Sequence, residues 1–250
     1  MESVYPVLSG ALAQEKRMEV IANNLANAAT SGFKKDVPVF EGVMASVDPL
    51  RVSAEGPIDP VAAFGILKQV VTDLSPGVIR TTSAALDVAI EGKGFFSVQT
   101  PEGLRYTRNG HFTINSEGFL ALGDFPVLGS GGPITLPPGD IIIQADGRIS
   151  VKGVEAGAEP VEIDLLPIYR FSSPGDLKKV GKNFFEAVNE TAVPSLDGQL
   201  RQGALEGSNV NPVEEMVAMI EVMRLYEASQ KAIQTADEIQ GKVSNEIAAV

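Results

Sequence analysis

The chain has 250 residues, of which 44% are hydrophobic and 21% are charged, a composition that suits a folded protein with a real core. Its formal net charge of −12 opposes nucleic-acid binding, because phosphate contacts need an excess of Lys and Arg. The densest basic pairs, Lys34-Lys35 and Lys178-Lys179, are predicted to be solvated surface. The chain has no cysteine, which excludes disulfides, cysteine zinc sites and thiol nucleophiles.

The N-terminus has an apolar run but lacks the features of a cleaved secretion signal. Glu2 occupies the place of the usual cationic region, and Pro6 and Gly10 interrupt the apolar stretch. No segment approaches the length of apolar sequence that spans a bilayer. We therefore expect neither a cleaved signal nor stable membrane insertion.

Residues 4–29 have the spacing of a helix that packs along another helix. Their apolar positions alternate by three and four residues, with Gln14 as the one polar residue in the register. These positions are Val4, Val7, Ala11, Met18, Ile21, Leu25 and Ala28. Thr30-Ser31-Gly32 predicts the helix end, because glycine suits the left-handed position that follows a helix.

The middle of the chain, residues 86–171, is rich in strand and turn signals. Turn residues recur about every eight to twelve positions, which predicts an antiparallel β-rich domain, either a sandwich or a barrel-like fold. Asn109-Gly110 predicts a tight hairpin. The strands are predicted at residues 95–98, 104–108, 111–114, 119–122, 134–136, 141–143, 148–151 and 161–171.

Two segments rich in Pro and Gly flank this domain. Residues 36–85 and 172–204 show weak periodicity, and we predict that they are extended connectors. The terminal helical domain is then discontinuous and consists of residues 1–35 and 205–250. The predicted fold class is α+β, with N- and C-terminal helices paired as a coiled coil and an inserted antiparallel β-rich domain.

Residues 211–250 predict a second long helix with two apolar stripes. Pro212 fits its first turn, and Ser208 or Asn211 can cap it. The main stripe has heptad spacing and contains Met219, Val222, Tyr226, Ile233, Ala236, Val243 and Ile247. The second stripe contains Val213, Met216, Ile220 and Met223. Two stripes indicate more than one neighbouring helix, as in a bundle or a tube.

Long amphipathic helices at both ends of a chain gain little unless they find partners. Pairing the two ends with each other covers only part of their apolar surface, and ordering them costs backbone entropy. We therefore expect the termini to be partly disordered in the monomer and to fold on assembly into a filament. The alternative is a self-contained coiled coil beside the β-rich domain.

Four segments resemble, in the expected order, the signatures of flagellar rod and hook proteins. The first is Ala22-Asn23-Asn24-Leu25-Ala26-Asn27 with Thr30-Ser31-Gly32-Phe33-Lys34, and the last is Leu205-Glu206-Gly207-Ser208-Asn209-Val210-Asn211. Two middle segments, Leu86-Asp87-Val88-Ala89-Ile90-Glu91-Gly92 with Gly94-Phe95-Phe96, and Tyr106-Thr107-Arg108-Asn109-Gly110-His111-Phe112, are similar to the β-domain of that family. The chain is identified as a member of the flagellar basal-body rod protein family. In its length and in its short segment between Phe40 and Ser83, the chain resembles the proximal rod proteins most and the distal rod proteins next.

The resemblance implies a structural axial subunit of the rod that polymerises through its terminal helices and transmits torque. It implies partners among other rod and hook subunits and the flagellar export apparatus. It also implies type III export to the periplasm-spanning basal body. The assembly interface is predicted at Val4, Met18, Ile21, Asn23, Asn24, Leu25, Asn27, Met219, Val222, Tyr226, Ile233 and Val243. The three asparagines can set the register between helices, or they can be solvent-facing residues without a special role.

The sequence contains little that suggests catalysis, so no enzyme activity, cofactor or metal is predicted. His111 is the only histidine, and a lone histidine makes a poor metal site. Gly129-Ser130-Gly131-Gly132 is followed by Pro133 and lacks the Gly-Lys-Ser/Thr of a phosphate loop. Two other functions stay open: a secreted binding or adhesion module, and a cell-wall hydrolase with a pair of opposed carboxylates.

Overall fold

The computed structural model describes residues 4–44, 63–153, 159–188, 192–195 and 198–247. The chain divides into two compact units. The helical unit comprises Met1–Ala26, Asp36–Val71 and Asn211–Val250. The β unit comprises Asn27–Lys35 and Thr72–Val210. Neither helix in the described part of the chain has the length and apolar character needed to cross a membrane.

The helical unit is built on two long helices that contact each other, α1 (Val4–Ala26) and α2 (Pro212–Ile247). A two-stranded sheet of β1 (Asp36–Met44) and β2 (Ala63–Thr72) follows α1 in the chain, and β1 contacts α1. The prediction of an α+β chain with a helix at each end is therefore confirmed. The helices form a pair, whereas the coiled-coil geometry of that pair stays a prediction.

Both helix ends follow the local chemistry of the sequence. Asn211 is the N-cap of α2, since its Oδ1 accepts a hydrogen bond from the Val213 amide at 3.1 Å. Its Nδ2 also donates to Glu214 Oε1 at 2.9 Å. The α1 helix ends at Ala26, earlier than predicted, and a turn follows in which the Thr30 amide donates to the Asn27 carbonyl. Gly32 has the expected left-handed conformation, with φ of 68°.

The β unit consists of short strands in small sheets, and the registers recorded between them are all antiparallel. Its first strands are β3 (Ile79–Thr81), β4 (Val88–Glu91), β5 (Phe96–Thr100), β6 (Gly103–Thr107), β7 (Thr113–Ile114), β8 (Leu120–Leu122) and β9 (Phe125–Pro126). The next are β10 (Asp140–Ile143), β11 (Arg148–Lys152), β12 (Val161–Leu165) and β13 (Tyr169–Arg170). The last are β14 (Leu177–Val180), β15 (Phe184–Ala187), β16 (Val193–Pro194), β17 (Gln199–Gln202) and β18 (Ala204–Glu206).

The sheet order brings distant parts of the sequence together. The four-stranded sheet has the order β14-β15-β6-β5, and two three-stranded sheets have the orders β10-β11-β12 and β7-β8-β9. The strands nearest the end of the unit pair with the strands nearest its start, as β17-β4 and β18-β3. The β13-β16 pair completes the set for the described residues. The first and last strands of the β unit therefore lie side by side, with β3 next to β18 and β4 next to β17.

Two apolar clusters form the core of the β unit. The larger cluster contains sixteen buried side chains contributed by many of the short strands, among them Ile90, Phe96, Leu120 and Ile149. The smaller one is aromatic and centres on Phe95, Tyr106 and Phe185. Phe95 and Phe96 belong to different clusters, because successive residues of an extended chain point to opposite sides.

The predicted hairpin at Asn109-Gly110 is wrong. Strand β6 already has a partner on each edge, β5 and β15, so no edge is left for the residues after Gly110. Gly110 is required instead for a close approach, since a Cβ there would lie 1.7 Å from the Val88 carbonyl oxygen. The chain turns at Pro101-Glu102, between β5 and β6, and at residues 115–118, between β7 and β8.

Other strand predictions are correct in part. The predicted strand at residues 161–171 is two strands, β12 and β13, separated by a segment that contains Pro167, which has no N–H to donate. Residues 134–136 form a single bridge, between Phe119 and Thr135, rather than a strand. The described parts of the predicted connectors contain paired strands: β1, β2 and β3 lie in residues 36–85, and β14 to β17 lie in residues 172–204.

Candidate assembly surface

The heptad positions of the two helices are their more buried positions. Ile21 of α1 is 5% exposed and Val222 of α2 is fully buried. Met18, Leu25, Met219, Tyr226 and Ile233 are half-buried. The side chains of Val4 and Val243 lie outside the described residues. The helices α1 and α2 contact each other. Whether these residues lie between the two helices or contact other subunits stays a prediction.

The three asparagines of the predicted assembly interface, Asn23, Asn24 and Asn27, have different environments. Asn24 is 1% exposed and holds both the start of β1 and the start of α2. Its Nδ2 donates to the Asp36 carbonyl at 2.8 Å and to Glu215 Oε2 at 3.3 Å, and its Oδ1 accepts from the Asp36 amide at 2.9 Å. Asn27 is buried in the turn after α1, where its Oδ1 accepts from the Thr30 hydroxyl, and Asn23 is exposed. Asn24 therefore links the two helices.

A stripe of apolar side chains on α2 is exposed. We call Val213, Met216, Val217, Ile220 and Met223 the exposed stripe; each is between 46% and 62% exposed. Met216 and Val217 are adjacent and the others lie three residues apart, which puts all five on one side of the helix. Ile220 is about 200° around the helix from Val222. A contiguous apolar patch of this kind on a chain with a net charge of −12 marks an interaction surface.

The β unit contains a buried ion cluster formed by Lys34, Arg108 and Glu206. Lys34 Nζ donates to Glu206 Oε1 at 2.7 Å, and Arg108 Nη1 donates to Glu206 Oε2 at 3.1 Å. Their side chains are at most 5% exposed. The prediction that Lys34-Lys35 is solvated surface is therefore wrong for Lys34. Burial lowers the pKa of Lys34 and of Arg108, and the charge of Glu206 partly offsets that effect.

Backbone groups make further hydrogen bonds to the cluster. Lys34 Nζ also donates to the Ser75 carbonyl at 2.7 Å, and the Gly77 amide donates to Glu206 Oε1 at 2.8 Å. Arg108 Nη2 donates to the Gly92 carbonyl at 2.7 Å. A buried carboxylate between two cations needs such support, because its desolvation otherwise exceeds the Coulomb attraction.

The three charged residues of the cluster belong to three of the four segments on which the family resemblance rests, and the Gly92 carbonyl that Arg108 contacts belongs to the other segment. Gly32 donates its amide to the Glu206 carbonyl at 2.8 Å, and a Cβ on Gly32 would lie 2.4 Å from the Asn109 amide nitrogen. Asn209 Oδ1 accepts from the Lys35 amide at 2.7 Å, so this residue belongs to the same junction. Spacing in the sequence did not reveal this cluster, since 98 and 172 residues separate its charged pairs.

The lone histidine has a structural partner. His111 Nδ1 lies 2.7 Å from Asp87 Oδ1, and the Asp87 carboxylate is buried while the His111 ring is 61% exposed. No group of three or more potential ligands that could hold a metal exists among the described residues. At the glycine-rich segment, Ser130 Oγ donates to Asp164 Oδ1 at 2.8 Å.

Three family profiles match the chain in order. They are described as flagella basal body rod protein over residues 7–34, flagellar hook protein FlgE/F/G D1 domain over residues 89–151, and flagellar basal body rod FlgEFG protein C-terminal over residues 201–246. The first and last profiles cover the two terminal helices and the middle one covers part of the β unit. The matches thus follow the architecture described above.

Relatives of known name match along nearly their whole length. The flagellar basal-body rod protein FlgG of Borreliella burgdorferi is 36% identical over 98% of each chain. FlgG of Buchnera aphidicola subsp. Schizaphis graminum is 35% identical over 94% of this chain and 96% of its own. FlgF of Salmonella typhimurium is 32% identical over 97% of this chain and 96% of its own. Proteins of both the FlgF and the FlgG name thus match, and none of these names supports an adhesion module. The chain belongs to the flagellar basal-body rod protein family and is a structural subunit of that basal body.

Proposed function

We propose that this rod subunit polymerises through its two terminal helices into an axial tube and transmits torque through their packing, with no enzymatic role. The observation that carries the proposal is the exposed stripe on α2. Val222 is fully buried, whereas Ile220 and its neighbours on the stripe are exposed. A helix with apolar residues on two sides needs two neighbours.

In this proposal the buried face and the exposed face of the helices make different contacts. The interface residues predicted from the sequence, including Ile21, Leu25 and Ile233, hold α1 and α2 together as a coiled coil. The exposed stripe, with Leu8 and Leu12 of α1, which are 44% and 54% exposed, then packs against the helices of neighbouring subunits. Complete burial of a large apolar side chain stabilises by about 1.5–3 kcal/mol, so a few such residues suffice to drive association.

The partners in this proposal are other rod and hook subunits of the flagellum. Relatives in the same family carry the names FlgF and FlgG, and proteins that share terminal helices can share one helical packing scheme. We further propose that the chain reaches the periplasm-spanning rod through the flagellar type III export apparatus. The choice between a proximal and a distal position in the rod stays with the sequence-based preference for the proximal one.

Polymer formation by purified chains tests the proposal. We expect the wild-type chain to form filaments visible by electron microscopy and the Ile220→Glu variant to remain monomeric by light scattering. Gln234→Glu is the matched control, because it adds the same charge at an exposed polar position of α2. Circular dichroism checks that both variants fold. Normal filaments from Ile220→Glu would overturn the role of the exposed stripe.

A further inference from the structure

The β unit contains a cavity of about 630 Å³ that no step of the proposed polymerisation uses. Phe95, Phe171 and Leu74 line its apolar part, and Lys93, Arg108 and Arg170 line its polar part. The volume lies in the range of about 300–1,000 Å³ that is typical of ligand pockets. Apolar walls with a few charged groups are also the usual composition of such a pocket.

The apolar wall of this cavity is held by aromatic packing. The Phe95 ring packs edge-on against Phe171, with ring centroids 5.9 Å apart, and against Phe185 at 5.3 Å. Tyr106 packs edge-on against Phe171 at 4.9 Å. Edge-to-face pairs restrict ring motion, so the wall keeps its shape without a ligand. A preformed wall favours binding, because little side-chain entropy remains to be lost.

The charged wall is cationic, although the whole chain carries a net charge of −12. Lys93, Arg108 and Arg170 line the cavity, and the acidic residue among the lining residues is Asp73. Arg108 is 4% exposed, and its Nε–H is buried without an acceptor among the described residues. Its guanidinium also lies over the Phe95 ring, 5.4 Å from the centroid. Glu206 already offsets part of the charge of Arg108, and an anion in the cavity would add a counter-charge to its cationic lining.

We propose that this cavity binds an acidic residue and an apolar neighbour from an extended segment of a second copy of this chain. Charge complementarity argues for this occupant: each copy has 32 acidic and 20 basic residues, so its surface offers carboxylates to a cationic cavity. Only the identification of the occupant as a second copy rests on the proposed function. The contact lies in the β unit and is separate from the helix packing.

A peptide titration of the purified full chain tests the cavity directly. The probe is an acetylated Val-Glu-Ile amide that copies residues 161–163, where Val161 and Glu162 are exposed in β12. We expect saturable shifts of the amide resonances of Phe95, Arg170 and Ser172. The same peptide with Gln in place of Glu should bind at least about ten-fold more weakly, since it lacks the charge. Equal binding of both peptides, shifts confined to other residues, or no saturable binding would overturn the proposal.

Two charge reversals make the test specific. Lys93→Glu and Arg170→Glu should each weaken the Glu peptide at least about ten-fold, whereas Lys152→Glu, an exposed lysine that does not line the cavity, should leave its affinity unchanged. Arg108 is left intact, because the buried cluster needs it. If all three variants bind the peptide as the wild type does, the cavity is not the site.

Cross-linking then identifies the occupant. In filaments treated with a carbodiimide, Lys93 should form an amide bond with a carboxylate of another copy, which mixed isotope labelling distinguishes from a bond within one chain. Filaments that form without this cross-link would overturn a second copy as the occupant while leaving helix-driven polymerisation intact. Failure to form filaments would contradict the proposed function. The peptide titration would still show whether the cavity binds an acidic peptide.

Discussion

The carboxylate of Glu206 accepts a hydrogen bond from Lys34 Nζ at 2.7 Å across 172 residues of sequence, and both side chains are buried. This pair, together with Arg108, joins the segment after α1 to the strand that precedes α2, all within the β unit. The arrangement places one carboxylate between two cations. Its stability therefore depends on the carboxylate more than on either cation.

Replacement of Glu206 by Gln should be strongly destabilising. Two buried cations would lose their counter-charge, and such a loss costs about 3–5 kcal/mol. The control is Glu91→Gln, which removes a half-exposed ion pair to Arg201 at 3.2 Å and should cost less than about 1 kcal/mol. Urea denaturation followed by circular dichroism measures both. Similar losses for the two variants would contradict the account of the cluster.

The stability contributed by Lys34 should depend on pH. Burial lowers the pKa of Lys34 below 10.5, so the unfolded chain binds this proton more tightly than the folded chain. The resulting penalty on folding is full below the folded pKa and disappears as the pH rises to 10.5. The unfolding free energy of the wild type relative to Lys34→Met should therefore increase with pH across this window. Denaturation at a series of alkaline pH values measures the difference, and a decrease would contradict the prediction.

Gly110 should tolerate no side chain. A methyl group there would meet the Val88 carbonyl oxygen at 1.7 Å, and overpacking of this kind costs about 1–3 kcal/mol. Gly131→Ala is the control in the same unit, since a Cβ at Gly131 has no atom within 4 Å. Thermal unfolding should show a clearly lower midpoint for Gly110→Ala only. Equal midpoints would show that the close approach is not required.

Asn24→Ala should loosen the helical unit. The substitution removes three hydrogen bonds that Asn24 makes to the Asp36 backbone and Glu215, and each buried polar group left without a partner costs about 1–3 kcal/mol. Asn23→Ala, on the exposed side of α1, should cost less. Amide exchange of the α1 backbone is the measurement. Unchanged exchange in Asn24→Ala would mean that the amide does not hold the helices.

The isolated monomer should show two levels of protection from amide exchange. We expect α1 and α2 to exchange faster than the core strands of the β unit, because the exposed stripe leaves much of its apolar surface in water in the monomer. Polymerisation should then slow the exchange of the helices. Full protection of both helices in the monomer would favour the self-contained helix pair.

Sequence reasoning succeeded where the signal is local and repeated. The helices, their heptad positions such as Ile21 and Val222, and the cap at Asn211 follow from periodicity and end chemistry. The hairpin prediction at Asn109-Gly110 was wrong because the edge of β6 that β5 leaves open pairs with β15, a strand that lies much later in the sequence. Lys34 could not be recognised as buried for the same reason: its partner Glu206 lies on a strand that pairs with β3.

The pairing of β18 with β3 and of β17 with β4 has a consequence for how the chain acquires its structure. Synthesis from the N-terminus delivers Lys34 and Arg108 early, and the carboxylate that neutralises them comes with residue 206. Until then the two cations remain solvated, and the strands of residues 79–91 lack their partners. Contacts between such distant segments fold slowly. We therefore expect the β unit to close only after β17 and β18 have been synthesised, because β4 and β3 pair with them.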